Sequence, residues 1–362
     1  MISLRVSLRT PVLLTALLAP FTRAAVPVDL SGLAPDSEIR ITHDTTTDLL
    51  TLDWPASASA SGPRASLTLN LTKDKPLLSR LAWQTAPAAA PTTIAENLTP
   101  LTILTVGHRD LARNGWMVFF DKVHTRPSQR FPVRLAPTSA KLTSTATRAR
   151  ITIGGLTADT FSGSYELTVF SGSPLIQAEA VLSTAQNNRA ILYDAGLVAP
   201  FGRATGYSWI DPRTGPQSAP ADTPAGVRAA RYRTAALEFP GGNVTVFPPP
   251  HRYLYPLDFA DNFGFNWLGR HYDSSAPGDG VGVAVAHRHR HPGSRQRHRA
   301  RAAEAARTSR DHRHLAGEAG VAAAGNFLRA EPAGFGSLEF LGGKTFALGA
   351  LDFFAEGFLE LG

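Results

Sequence analysis

Apolar and polar residues alternate at every second position along much of the first 250 residues. Leu67, Leu69 and Leu71, for example, are separated by polar residues. A β-strand places successive side chains on opposite faces, so this spacing puts one set in a core and the other in water. The same pattern recurs at Ile39 and Ile41, and at Ala149, Ile151 and Ile153. No segment of this region has an apolar stripe of helical period and length, so the pattern predicts a series of strands.

The clearest unit is the segment from Ser164 to Thr184. Apolar residues at every second position form two sets, separated by the turn-forming sequence Ser171-Gly172-Ser173-Pro174. The segment is therefore predicted as a hairpin or as two sequential strands of one sheet. The first set is Tyr165, Leu167 and Val169, and the second is Ile176, Ala178, Ala180 and Leu182.

Many short strands with Gly and Pro turns, and no helices between them, are typical of an all-β fold built as an antiparallel β-sandwich. We predict this sandwich for residues 26–273. Within it, the Gly- and Pro-rich stretch from Phe201 to Pro224 is predicted as a long loop. Strands resume at Thr234–Phe239 and at Asn243–Phe247. The strand pattern ends near Asp273, so residues 274–362 are predicted as a linker and a poorly structured tail.

The N-terminal residues have the features of a secretory signal. Arg5 and Arg9 precede an apolar run from Pro11 to Phe21, and small residues follow near Ala24. The run is too short to span a bilayer, and the pattern predicts a signal peptide over residues 1–25. The alternative is a buried N-terminal element. No other apolar run is long enough for a transmembrane helix. A secreted or periplasmic location follows, in which the absence of cysteine leaves core burial to stabilise the fold.

The basic charge of the chain is confined to one window, from His287 to His314. This window holds nine Arg and two acidic residues, Glu304 and Asp311. Its net charge of +7 equals the net charge of the whole chain. The remaining residues are therefore electrically balanced. Alternating His and Arg codons are typical of GC-rich DNA translated out of frame, so one hypothesis is that the tail beyond about residue 280 is frameshifted. The other is a genuine basic, disordered arm.

The same window offers two other chemistries. His287, His289 and His291 alternate along the chain, so on a strand they would share one face and could bind a metal. The neighbouring Arg residues, however, repel a cation. The Arg residues suit phosphates, yet no aromatic residues lie between them as platforms for bases. We predict neither a metal site nor specific nucleic-acid binding here.

Two groups of residues outside the tail are candidate sites. The first is a possible metal or acid–base site, in which Asp121 and His124 lie just past the end of a predicted strand, where functional residues often lie; the alternative is ordinary polar loop residues. Its members are His108, Asp110, Asp121 and His124. The second combines aromatic rings with carboxylates, as sugar sites do; the alternative is that the rings cover the core. Its members are Tyr207, Trp209, Asp211, Tyr253, Tyr255, Asp258, Asp261, Trp267 and His271.

The hairpin sequence SGSYELTVFSGSPLIQAEAVLST, residues 162–184, resembles a strand pair of the galactose-mutarotase-like supersandwiches found in secreted bacterial carbohydrate-active proteins. The resemblance implies a supersandwich-like fold. Domains of this group are either catalytic or non-catalytic partners of a hydrolase. No catalytic residue of the group maps onto this sequence.

Three functional hypotheses follow from these observations. The first is a non-catalytic, carbohydrate-associated or accessory module with a carbohydrate partner, forming the truncated N-terminal part of a larger hydrolase. The second is a metal-dependent hydrolase. The third is a structural envelope or surface protein. No cofactor is predicted, and the sequence does not indicate an oligomeric state.

Overall fold

The computed structural model describes residues 25–108, 127–224, 226–230, 234–247, 265–270, 280–286 and 345–355. These residues form strands and connecting loops, and none of them is helical. The described part of the chain accordingly includes no helix that could cross a membrane. The prediction of an all-β fold is confirmed.

The first sheet has ten strands, in the order β1-β8-β9-β10-β11-β20-β17-β16-β13-β14. Its neighbouring strands are antiparallel except where β1 meets β8 and where β20 lies between β11 and β17. The strands are β1 (Val28–Gly32), β8 (Arg134–Ser144), β9 (Arg148–Ala158), β10 (Phe161–Phe170), β11 (Leu175–Ser183), β13 (Gly206–Asp211), β14 (Gly215–Pro220), β16 (Ala235–Phe239), β17 (Gly242–Phe247) and β20 (Thr345–Ala355).

The second sheet also has ten strands, in the order β15-β18-β19-β12-β6-β5-β4-β3-β2, with β7 paired to β6. The 17-residue strand β6 pairs with β5, β7 and β12 along its length. The strands are β2 (Arg40–Asp44), β3 (Leu49–Pro55), β4 (Arg64–Asn70), β5 (Leu78–Gln84), β6 (Thr92–His108), β7 (Ser128–Pro132), β12 (Arg189–Pro200), β15 (Gly226–Ala229), β18 (Phe265–Arg270) and β19 (Gly280–Ala286).

One hydrophobic core joins the two sheets, as expected for a sandwich. Leu67 and Leu69 of β4 enter it from the second sheet, and Ile151 and Ile153 of β9 enter it from the first; all four are fully buried. The period-2 pattern therefore identified the inward-facing residues. The antiparallel β-sandwich is the architecture of the described chain.

The segment 164–184 is a hairpin. Strands β10 and β11 pair antiparallel, with Tyr165 opposite Ala180 and Leu167 opposite Ala178. At the turn, Gly172 adopts a φ of 82°, a value that glycine reaches without the strain imposed by a Cβ. Alternate residues of both strands enter the core, as the sequence predicts.

Strands also form where the sequence predicts none. The stretch from Phe201 to Pro224 holds β13 and β14, although it was predicted as a loop. Strand β14 contains Pro216 and Pro220, which the sheet tolerates because β14 is its edge strand. Two further strands, β19 and β20, lie within the segment 274–362, where the sequence predicted a poorly structured tail. The basic window from His287 to His314 lies outside the described residues.

Candidate functional site

The first predicted site is described at one residue only. His108 ends strand β6 and is exposed. Asp110, Asp121 and His124 lie outside the described residues, so the metal-site hypothesis stays a prediction. Within the residues that the structure describes, no group of three or more His, Asp or Glu side chains is arranged to hold a metal ion.

The second predicted site is distributed over both sheets. Tyr207 and Trp209 lie on β13 of the first sheet, where their rings stack with centroids 5.8 Å apart. Tyr207 is fully buried in the core, and Trp209 packs against that core. Trp267 lies on β18 of the second sheet, in a small separate apolar cluster. Five further members of the set lie outside the described residues: Tyr253, Tyr255, Asp258, Asp261 and His271.

Asp211 stabilises the turn between β13 and β14. Its Oδ1 atom accepts hydrogen bonds from the backbone N–H groups of Arg213 at 2.8 Å and Thr214 at 3.0 Å. These bonds favour the charged carboxylate and hold the pKa of Asp211 below its ordinary value. The turn closes at Gly215, whose φ is 79°. One oxygen of the carboxylate is thus engaged by the hairpin itself, and the ligand-binding role of the Tyr207, Trp209 and Trp267 set stays a prediction.

A polar surface lies on the face of the first sheet that points away from the core, here called the outer face. Leu167, Ala178 and Val244 point to the core, and the residues that alternate with them therefore lie on the outer face. Four polar outer-face residues are nevertheless almost completely buried, although polar side chains on the outside of a sandwich usually meet water. Their exposed fractions are 2% for Thr168, 5% for Glu179, 6% for Ser208 and 1% for Thr245.

Three of these four residues have hydroxyls that form no hydrogen bond within the described part of the chain: Thr168, Ser208 and Thr245. A buried polar atom without a partner costs roughly 1–3 kcal/mol, and most buried polar groups in native proteins are satisfied. Such groups therefore mark a place where water or a ligand completes the bonding.

Two of the hydroxyls line a pocket of about 320 Å³ on the outer face of β13, β14, β16 and β17. Ser208 is paired across the sheet with Ser218 on one side and Ala236 on the other, and Ala236 is paired with Thr245. The small side chains of this row leave the space that forms the pocket. The pocket volume falls within the range of about 300–1,000 Å³ typical of small-molecule sites.

Glu238 supplies a carboxylate to this pocket. It lies on the outer face of β16, opposite Gly206 of β13. A Cβ added at Gly206 would lie 3.0 Å from Oε2 of Glu238 and 2.8 Å from the carbonyl oxygen of Ala219. The absence of a side chain at position 206 therefore lets the carboxylate extend over β13, in the row next to that of Ser208.

A second charged group lies on the same face, across β9, β10 and β11. Glu166 and Glu179 are directly opposite each other in the hairpin, a pairing that like charges disfavour. Arg150 compensates: its guanidinium lies 3.2 Å from the Glu166 carboxylate and 3.9 Å from that of Glu179. Thr168, with its unpartnered hydroxyl, lies opposite Arg150. The outer face thus carries two polar groups, with β20 between them.

Of the residues that line the pocket, the sequence analysis named Trp209 as a candidate but missed the polar residues Ser208, Glu238 and Thr245. Thr245 alternates with Val244 and Val246, and Glu238 alternates with Leu237 and Phe239. This alternation marks Thr245 and Glu238 as outward-facing, which does not distinguish them from ordinary solvent-exposed residues. Their burial, and the neighbourhood of Ser208, depend on the strand order β17-β16-β13-β14.

The chain matches no known protein-family profile, and no curated protein is significantly similar to it.

Proposed function

We propose that this chain is a non-catalytic, carbohydrate-associated module of an exported protein, and that it holds a glycan in the pocket on the outer face of the first sheet. The unpartnered, buried hydroxyls of Ser208 and Thr245 are the observation that carries the proposal. In this view the chain is the front end of a larger hydrolase, whose chemistry lies elsewhere.

The chemistry of the pocket supports a sugar ligand. A sugar hydroxyl both donates and accepts hydrogen bonds, so the hydroxyls of a bound glycan can donate to the Glu238 carboxylate and also pair with the hydroxyls of Ser208 and Thr245. Ile210, Pro216 and Ala236 supply apolar contacts for the C–H groups of the ring. The combination of an apolar lining with a few convergent polar groups is typical of small-molecule sites.

The non-catalytic role follows from the carboxylates. Glycoside hydrolysis commonly uses a pair of Asp or Glu residues on either side of the scissile bond. Among the described residues that line the pocket, Glu238 is the sole carboxylate. The pair formed by Glu166 and Glu179 is bridged by Arg150 and does not line the pocket. The described geometry therefore favours binding over cleavage.

Export is part of the proposal and is supported by the sequence. The N-terminal pattern of Arg5, Arg9 and the apolar run from Pro11 to Phe21 is that of a secretory signal. A module that binds extracellular glycan needs such a signal.

The test is binding of the full chain to a glycan array, followed by thermal-shift measurements with each ligand found. We expect at least one glycan to bind, and Ser208→Ala together with Thr245→Val to weaken binding by about tenfold or more, as for the loss of one or two hydrogen bonds. The control is Thr51→Val, which removes a hydroxyl from the second sheet. An array without any ligand, or unchanged affinity in the double variant, would overturn the proposal.

A further inference from the structure

The pocket on the outer face carries a single type of charge. Of the described residues that line it, Glu238 is charged, and none is Lys, Arg or His. Glu238 also forms no ion pair within the described part of the chain, in contrast to Glu166 and Glu179, which share Arg150. Among the described residues that line the pocket, a bound ligand therefore meets one charged group, and that group is a carboxylate.

The Glu238 carboxylate lies over β13, at the wall of the pocket. Glu238 is partly buried, and its Oε2 atom extends over Gly206 into the space that a side chain at that position would fill. The buried hydroxyls of Ser208 and Thr245 lie on the neighbouring row of the same face. A sugar that bonds to the Ser208 hydroxyl therefore occupies the row next to the Glu238 carboxylate.

We infer that this pocket selects neutral or amine-bearing sugars and excludes sugars that carry carboxylate or sulfate groups. The inference rests on the proposed function, and it adds the chemical class of the ligand. A neutral sugar donates its hydroxyl hydrogens to Glu238, and a protonated amino sugar pairs with it through a charge-assisted bond. An anionic sugar loses part of its hydration in the pocket and gains a like charge as its neighbour, with no cation among the described lining residues to offset either cost.

The experiment compares tetrasaccharides of three classes on the full chain by titration calorimetry: neutral hexose oligomers, chitosan oligomers, and oligomers of galacturonate and alginate. We expect the tightest ligand to be neutral or aminated, and the acidic oligomers to bind at least about tenfold more weakly, because like-charge contacts at a binding interface are strongly unfavourable. Glu238→Gln keeps the size of the side chain and removes its charge. This variant should reduce the difference in affinity between neutral and acidic oligomers, and it should weaken the binding of chitosan oligomers.

The matched control is Asp36→Asn, which removes one negative charge from an exposed residue near β1, at the opposite edge of the first sheet. It should leave the ratio of affinities unchanged, and circular dichroism of both variants checks that the fold is intact. Acidic oligomers that bind as tightly as the best neutral one, or a ratio that Glu238→Gln does not alter, would overturn the inference and leave the proposed function standing. Binding of none of the three classes would instead overturn the proposed function.

Discussion

The indole N–H of Trp54 donates a hydrogen bond of 2.8 Å to the backbone carbonyl of Ser173. Trp54 lies on β3 of the second sheet and is fully buried, whereas Ser173 lies in the turn between β10 and β11 of the first sheet. The adjacent residues repeat the connection, since the N–H of Gly172 donates to the carbonyl of Pro55 at 2.9 Å. These two bonds fix the hairpin turn of one sheet against β3, the strand next to the edge of the other.

Trp54→Phe is expected to destabilise the protein by about 1–3 kcal/mol from the lost hydrogen bond, with a further cost from the smaller ring in the core. The measurement is the free energy of unfolding in urea. Ser173→Ala serves as the comparison, because it leaves the backbone carbonyl and therefore the bond to Trp54 in place; its cost should be smaller. Equal urea midpoints of unfolding for Trp54→Phe and the parent protein would show that this hydrogen bond contributes nothing to stability.

Gly163 of β10 is required by a close backbone contact. A Cβ at this position would lie 1.9 Å from the carbonyl oxygen of Val181 on β11, far inside any real contact. Gly163→Ala therefore forces the hairpin strands apart and should cost about 2 kcal/mol or more. Gly226→Ala is the matched control, since no atom lies within 4 Å of its added Cβ. That variant should be neutral or stabilise by about 0.5 kcal/mol through the reduced entropy of the unfolded chain. Thermal unfolding of the two variants gives the comparison.

The stabilisation that Asp211 gives to the β13–β14 turn is expected to be lost at acid pH. The backbone N–H groups of Arg213 and Thr214 hold the pKa of its carboxyl below the ordinary value of 3.8. Because the folded pKa is the lower one, the stabilisation is present above about pH 3.8 and is lost as the pH falls through the folded pKa. A titration followed by the carboxyl carbon resonance should give a midpoint below 3.8. In Asp211→Asn this contribution to the pH dependence should disappear; a midpoint at or above 3.8 would contradict the role of the turn.

The sequence predicted those parts of the fold that depend on neighbouring residues. Alternation within one strand identified Leu67 and Ile153 as core residues, and the turn chemistry near Gly172 identified the β10–β11 hairpin. Both signals depend on a few neighbouring residues, so they can be recognised without knowledge of the rest of the molecule. Strand β14 was not predicted, because its prolines are tolerated only at the edge of a sheet. The sequence of one strand does not show whether that strand lies at an edge.

The candidate site was less predictable because it is assembled from several strands. Ser208, Glu238 and Thr245 come from β13, β16 and β17, and their proximity depends on the order in which those strands pair. Tyr207 and Trp209 show the complementary difficulty. Alternation places both rings on one face of β13, but it does not say whether that face is the core or the surface. The core position of Tyr207 follows from the opposite sheet, which the local sequence does not specify.

The pocket hydroxyls provide a last prediction, in which stability and binding change in opposite directions. Thr245 is 1% exposed, and its hydroxyl has no partner within the described part of the chain. Thr245→Val replaces the hydroxyl by a methyl group of similar size, so it should raise the free energy of unfolding of the unliganded protein by about 1 kcal/mol while weakening glycan binding.

Thr51→Val is the matched control for this exchange, because the hydroxyl of Thr51 is 3.1 Å from that of Thr68 and forms a hydrogen bond with it. The same chemical change should there lower the free energy of unfolding by about 0.5–1.5 kcal/mol, since a satisfied bond is lost and the hydroxyl of Thr68 is deprived of its partner. Urea unfolding of both variants, each with and without the bound glycan, separates the two effects. A loss of stability in Thr245→Val equal to that in Thr51→Val would mean that the Thr245 hydroxyl is already satisfied in the unliganded protein, and the pocket would then have no unmet hydrogen bond at this position for a ligand to complete.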